Sequence, residues 1–161
     1  MPLEYCRLGD LITFQRGFDL PVEQMKPGDV PVIGSNGIIG YHNEYTAIAP
    51  VITIGRSGNI GNPRITYSNA WCHNTTLFVK EYHDVDPIFM YYYLQQFDFK
   101  NYAGGSAVPT LNRNIIHEIE IQKPPNTHGQ KVIGKMLKLF DDKIELLQTI
   151  NDNLGGAALA S

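Results

Sequence analysis

An α+β chain, with a mixed α/β globular domain followed by one long helix, is the fold class that three features of the sequence predict. Short β-branched runs bounded by Gly, Asn or Pro recur along most of the chain, one stretch among them carries helix start signals, and an apolar seam of heptad spacing follows a double proline. After an opening apolar cluster of Leu8, Leu11, Ile12 and Phe14, strand-like runs fall at Val51–Ile54, Ile65–Tyr67, Thr75–Val79 and Ile115–Ile121. In the last run Glu118 and Glu120 alternate with Ile119 and Ile121, as on the wet face of an edge strand. Asp86-Pro87 sets a favoured cap before a favoured first helical residue. Phe89, Tyr93 and Phe97 then recur at helical spacing, so a helix is expected from about Pro87 to Phe97.

The chain divides at Lys123-Pro124-Pro125-Asn126, because two prolines continue neither a strand nor a helix interior. The division sets a globular domain over residues 1–125, a spacer helix over 126–154 and a small-residue tail over 155–161. Thr127 and Gln130 have capping-box spacing at the start of that helix. Its seam of Ile133, Leu137, Phe140, Ile144, Leu147, Asn151 and Leu154 alternates steps of four and three, the pattern of a helix that packs against another helix. Asn151 falls at an a position, where a polar residue fixes register at some cost in stability. The alternative is that the stripe packs back on its own domain and Asn151 is solvated. Gly155-Gly156 is expected to stop the helix.

Composition bounds what such a chain does. With 161 residues and a 43% apolar share it supports one domain with a real core plus an appendage. The longest apolar runs are too short to span a bilayer and the N-terminus has no basic segment before an apolar core, so a cytoplasmic location without membrane attachment is expected. Cys6 and Cys72 are too few for a disulfide scaffold and are expected as buried thiols. The net charge is −3, and residues 1–124 hold nine Lys and Arg against twelve Asp and Glu. A nucleic-acid ligand would therefore be gripped by a few placed groups and by partner subunits, not by a broad basic surface.

One internal echo stands above composition. Ile33-Gly34-Ser35-Asn36-Gly37-Ile38-Ile39-Gly40 and Ile54-Gly55-Arg56-Ser57-Gly58-Asn59-Ile60-Gly61 share a G-x-x-G-x-x-G pattern, 21 residues apart. The spacing is neither that of the dinucleotide fingerprint nor that of a P-loop, and no cofactor is implied. Asn36-Gly37 is a strong hairpin signal and Ser57-Gly58 a weaker one. Such turns approach a phosphate backbone closely, and Arg56 offers a fork for a guanine edge or a phosphate. Asn36, Asn59, Asn62 and Asn74 are of the type that reads adenine, although Gly and Asn are also what any tight turn requires. A third polar segment, Gly104 to Arg113, has the same character.

Catalytic chemistry finds no footing. Ser35, Ser57 and Ser106 sit in turns with no telling His or Asp spacing, and Cys72-His73 with His42, His83, His117 and His128 forms no metal-ligand pattern. Pro124-Pro125 lacks the Asn/Asp-Pro-Pro-aromatic order of adenine methyltransferases.

Taken together and in order, Leu8-Gly9-Asp10-Leu11, Ile33 to Tyr45, Ile54 to Gly61, Asn74-Thr75-Thr76, Gly105 to Asn112, Pro124-Pro125 with Gln130 and Ile133, and Asp141-Asp142-Lys143-Ile144 resemble the specificity subunits of type I restriction–modification systems. The resemblance implies a non-catalytic target-recognition domain whose loops read double-stranded DNA, and a long helix that pairs as an antiparallel coiled coil. It also implies modification subunits that methylate adenine and restriction subunits that cleave. A full specificity subunit carries two such units, and this chain carries one. On this basis Ser35, Asn36, Arg56, Ser57, Asn59, Asn62, Arg64, Asn74, Thr75, Ser106, Thr110, Asn112 and Arg113 are the expected DNA-facing residues. The seam residues are the expected dimer contacts. A helix of roughly 40 Å at 1.5 Å per residue is near one turn of B-DNA, so a two-fold dimer would read an inverted repeat across an unread spacer. The rival readings are a small DNA-processing enzyme, and a coiled-coil interaction module whose globular part is only a platform.

Overall fold

The computed structural model describes residues 4–105, 107–122, 124 and 126–159. In chain order the elements are β1 (Tyr5–Arg7), α1 (Leu8–Leu11), β2 (Ile12–Arg16), β3 (Val30–Gly34), β4 (Gly37–His42), β5 (Val51–Gly55), β6 (Gly61–Thr66), β7 (Trp71–Cys72), β8 (Thr76–Tyr82), α2 (Pro87–Leu94), β9 (Ala103–Gly104), β10 (Thr110–Leu111), α3 (Arg113–His117), β11 (Glu120–Gln122) and α4 (Thr127–Leu159). A four-stranded sheet in the order β2-β8-β5-β6 is antiparallel throughout. Beside it lies a three-stranded sheet, β4-β3-β7, in which β3 pairs β4 antiparallel and β7 in parallel. Two short pairs, β1-β11 and β9-β10, complete the set.

The central strand β5 explains the continuous apolar run at Val51–Ile54: all five of its residues are buried, because it has neighbours on both edges and covers on both faces. Ile52, Ile54 and Leu77 join Leu8, Ile12, Phe14, Met90, Leu94 and Phe99 in the principal core, while Val51 and Phe78 join Ile33, Ala70 and Cys72 in a second cluster under the small sheet. Burial pushes the Cys72 thiol up to about 12, which makes it a core residue and not a nucleophile. Cys6 is half-buried on β1.

Several expectations are corrected. The Ile115–Ile121 run is not one strand. Asn112 caps the short helix α3 by accepting from the Asn114 amide at 2.9 Å, which turns Ile116 into the core, and only Glu120–Gln122 is extended. Glu118 is accordingly the C-cap of α3 and pairs with Arg7 at 2.8 Å, and the wet side of β11 is formed by Glu120 and Gln122. Asp86 does cap α2, accepting from the Phe89 amide at 3.0 Å, but the helix ends at Leu94 because the chain bends to bury Phe99. The expected capping box is replaced by Asn126, whose Oδ1 accepts from Gly129 at 2.9 Å. The Gln130 side chain is thereby released to accept from the Asp86 amide at 2.8 Å, and Thr127 donates to the Asp84 carbonyl. Gly155-Gly156 does not stop α4, which continues to Leu159. Glycine costs a helix about 1 kcal/mol against alanine but does not forbid it, and Ala157-Ala158-Leu159 favour its continuation.

His117 pins α3 to β2. Its Nε2 accepts from the Phe14 amide at 2.8 Å and its ring stacks on Phe14 at 6.2 Å. Partial burial lowers its pKa, the nearby Arg113 charge adds to that, and Glu118 opposes it. The neutral form is therefore the folded form. The unfolded chain binds a proton more readily, so the stabilisation is complete above the ordinary histidine value of about 6.5 and is lost as pH falls below it towards the lowered folded value. Urea unfolding at about pH 7.5 and about pH 5.5 is expected to show a loss on acidification that is smaller in His117→Asn. An unchanged pH dependence in that variant would remove His117 as its source.

Candidate nucleic-acid interface

The polar turns are gathered by Thr75. Its hydroxyl accepts from the Ser35 amide at 3.2 Å, and its carbonyl accepts from the amides of Arg56 at 2.8 Å and Ser57 at 3.3 Å. The segment after β9 is stitched to the same cluster, since the Leu111 amide donates to the Arg56 carbonyl at 2.9 Å and Ser57 bridges Thr110. Residues from four separate stretches of sequence thus form one continuous polar surface. Ser106 lies outside the described residues.

Within it the two sequence repeats adopt different turns. In the first, β3 and β4 are joined by Ser35-Asn36, one residue earlier than the Asn36-Gly37 signal suggests, with Gly34 opposite Gly37. Gly37 has φ +118°, open to glycine only, and this is what the sequence signal detects. In the second, five residues (Arg56 to Ile60) connect β5 to β6. A side chain at Gly55 would collide with the Asn59 carbonyl, so the turn folds back on its own strand. Asn59 Oδ1 accepts from Asn62 Nδ2 at 2.7 Å, and Asn62 itself is left-handed with φ +53°. These two asparagines hold the turn's shape. Asn74 donates to Asp19 at 2.8 Å, and Asn112 serves as the α3 cap.

Two concavities open on this surface. One, of about 670 Å³, is lined by Asn36, Gly37, Asn62, Arg64 and Tyr91 among others. The second, of about 470 Å³, is lined by Gln15, Arg16, Arg56, Thr110, Asn112 and Arg113 over a floor of Leu77 and Leu111. Burial lowers the Arg56 pKa, and the positive charge of Arg16 lowers it further. Gln15 and Arg16 were not expected from the sequence. They end β2 outside the two repeated glycine turns, and only the pairing of Arg16 with Leu77 brings them here. Among the described residues no His, Cys, Asp or Glu cluster has the makings of a metal site.

Next to the Asn36–Arg64 concavity, which Tyr91 of α2 helps to line, α4 docks on α2 through one narrow face. A Cβ on Gly134 would stand 2.8 Å from the Phe89 amide nitrogen, Tyr92 donates to Asp141 at 2.8 Å, and the Lys138 ammonium lies 5.1 Å from the Tyr67 ring centre. Gln130, Gly134, Lys138 and Asp141 therefore face the domain. Ile133, Leu137, Phe140, Ile144, Leu147, Asn151 and Leu154 lie about a quarter turn away at 3.6 residues per turn, and all seven are exposed. The seam does not pack back on its own domain.

This arrangement, a mixed-sheet domain with polar loops and a projecting C-terminal helix, is that of type I S subunits of known structure. It matches the crystal structure of the S subunit from Mycoplasma genitalium with a TM-score of 0.76 at 21% identity, over 91% of this chain and 41% of that one. The HsdS subunit from Thermoanaerobacter tengcongensis matches with a TM-score of 0.63 at 13% identity, over 89% of this chain and 38% of that one. In sequence, a type I specificity subunit of Mycoplasma pneumoniae is 26% identical over 149 residues, 89% of this chain and 40% of its own length. The family model of the type I restriction modification DNA specificity domain matches residues 2–155. The chain belongs to that family. It spans about two fifths of the length of these relatives.

Proposed function

We propose that this chain is a non-catalytic, sequence-specific DNA recognition subunit of a type I restriction–modification system. In this reading it directs adenine methylation and cleavage by modification and restriction subunits at a bipartite site. The observation that carries the reading is the convergence of the turns at Ser35-Asn36, Arg56 to Asn62, Asn74-Thr75 and Thr110 to Arg113 on one surface of a specificity-domain fold. It needs no cofactor, acts on double-stranded DNA in the cytoplasm, and assembles as a homodimer through α4, whose seam leaves Ile133, Phe140, Ile144 and Leu147 exposed for an antiparallel partner helix.

Selection from a random duplex pool, with and without a modification subunit, tests this. An enriched inverted repeat with an unread spacer is the expected result. Arg64→Ala is expected to change the enriched base at one position of each half-site, at about 1–3 kcal/mol of discrimination. A pool with no enriched sequence under either condition would overturn the recognition role.

A further inference from the structure

The cavity at the end of β2 holds a concentration of charge that the rest of the chain does not explain. Arg16 comes from β2, Arg56 from the β5–β6 turn and Arg113 from the start of α3, and all three line it. Among the described residues none of them has an ion pair with a carboxylate, and no acidic side chain lines the cavity. Yet acids outnumber bases in the chain, sixteen to thirteen. Arg7 and Lys138 have found acidic partners at 2.8 and 2.7 Å, so acids are on hand where the fold has use for them.

Two of these arginines repel. Arg56 is half-buried, and the Arg16 charge acts on it through a partly desolvated medium. A neutral ligand leaves that repulsion in place, whereas an anion removes it and adds charge-assisted hydrogen bonds to two or three guanidinium forks. Gln15 and Thr110 offer further polar groups at the wall. The backbone at Arg56 and Leu111 is fixed by the Arg56–Thr75 and Leu111–Arg56 hydrogen bonds, so the turn that carries Arg56 is in place before a ligand arrives.

We infer that the Arg16–Arg56–Arg113 cavity is a phosphate seat, taking a backbone phosphodiester of DNA and fixing the position of the duplex, while sequence is read elsewhere, at the Asn36–Arg64 concavity. The inference rests on the DNA-recognition reading for the source of the phosphate, and on the cavity alone for the anion. It assigns Arg16 a role in binding and gives Arg56, whose fork suits a guanine edge or a phosphate, to the phosphate.

Duplex binding is measured by fluorescence anisotropy across a range of salt, on the enriched site and on a scrambled duplex, for the full chain, Arg16→Gln and Arg64→Gln. Arg16→Gln is expected to weaken both duplexes by the same factor and to make the salt dependence shallower by about one unit in log K against log salt. Arg64→Gln is expected to reduce the preference between the duplexes. Inorganic phosphate is titrated in parallel against the arginine side-chain NMR signals. Saturable shifts at Arg16, Arg56 and Arg113, lost in Arg16→Gln and kept in Arg64→Gln, are expected.

Unaltered affinity and salt slope in Arg16→Gln, with the unaltered chain binding its site, would overturn the seat and leave the recognition role standing. Loss of preference at constant slope would make Arg16 a base reader and overturn it equally. Saturable phosphate binding at the cavity in a chain that binds no duplex would keep the anion site and refute DNA as its source. Absence of both would refute seat and source together.

Discussion

Light scattering of the chain carrying Ile144→Asp with Leu147→Asp is expected to give a monomer mass at concentrations where the unaltered chain gives a dimer mass. Both residues lie in the part of α4 beyond its dock on α2, where every residue from Leu139 to Leu154 is exposed in the single chain. Folding of the protomer therefore does not depend on them, and circular dichroism should be unchanged. Burying such a side chain in a partner contributes about 1.5–3 kcal/mol, and a buried unpaired carboxylate costs more than the apolar contact it replaces. Two-fold symmetry repeats each substitution, so four positions change at once. A loss of about 6 kcal/mol or more weakens association by over four orders of magnitude. A monomer mass for the unaltered chain at all concentrations would refute the homodimer and assign the seam to a helix of another polypeptide.

The second large effect is on stability. Phe99→Ala is expected to lower the unfolding free energy by about 3–5 kcal/mol, which at about 2–4 °C per kcal/mol for a chain of this size moves the melting temperature by about 10 °C. Phe99 is 1% exposed, and its ring lies tilted against Phe97 with the ring centres 5.8 Å apart. A Cβ on Gly61 would meet its Cβ at 3.2 Å, so the ring sits directly beneath the turn that carries Asn62. The cavity left by truncation lies between a 3-10 turn (Phe99–Tyr102) and β6, within the principal core. A melting temperature within about 2 °C of the unaltered chain would show that the site collapses without cost.

Phe99 also illustrates where the sequence stops being informative. Phe89, Tyr93 and Phe97 are at helical spacing and lie on or just past α2, but Phe99 breaks the period, and nothing local says that it turns inward. The same holds for Ile115–Ile121. Its alternation is real from Ile119 onward, yet Asn112 is a cap only once Leu111 is buried and β10 is paired with β9. Cap chemistry at Asp86 was legible because the cap, the first-turn proline and the apolar spacing are all local. At α4 the sequence points to a capping box of Thr127 and Gln130, whereas the cap falls at Asn126 and Gln130 accepts from the Asp86 amide, 44 residues away.

The candidate interface divides in the same way. The glycine pattern marks the turns correctly because a φ of +118° at Gly37 or +77° at Gly58 is a property of the residue itself. Which turn residues remain available is not local. Asn59 and Asn62 bind each other, Asn74 binds Asp19, and Asn112 caps α3, so four of the asparagine candidates already have structural partners.

By itself the sequence determined the class of fold, the long helix that follows the prolines with its heptad-spaced apolar residues, and the glycine turns. Each depends on periodicity or backbone freedom within a few residues. Only the tertiary structure decided that the seam turns away from its own domain, because that follows from Gly134 admitting Phe89 at close range. It also decided that Arg16, Arg56 and Arg113 meet in one cavity. Three charges separated by some forty to a hundred residues in an acidic chain carry no local mark; Arg16 and Arg56 meet because β2 and β5 are both hydrogen-bonded to β8, and Arg113 joins them through the Leu111–Arg56 and Phe14–His117 hydrogen bonds.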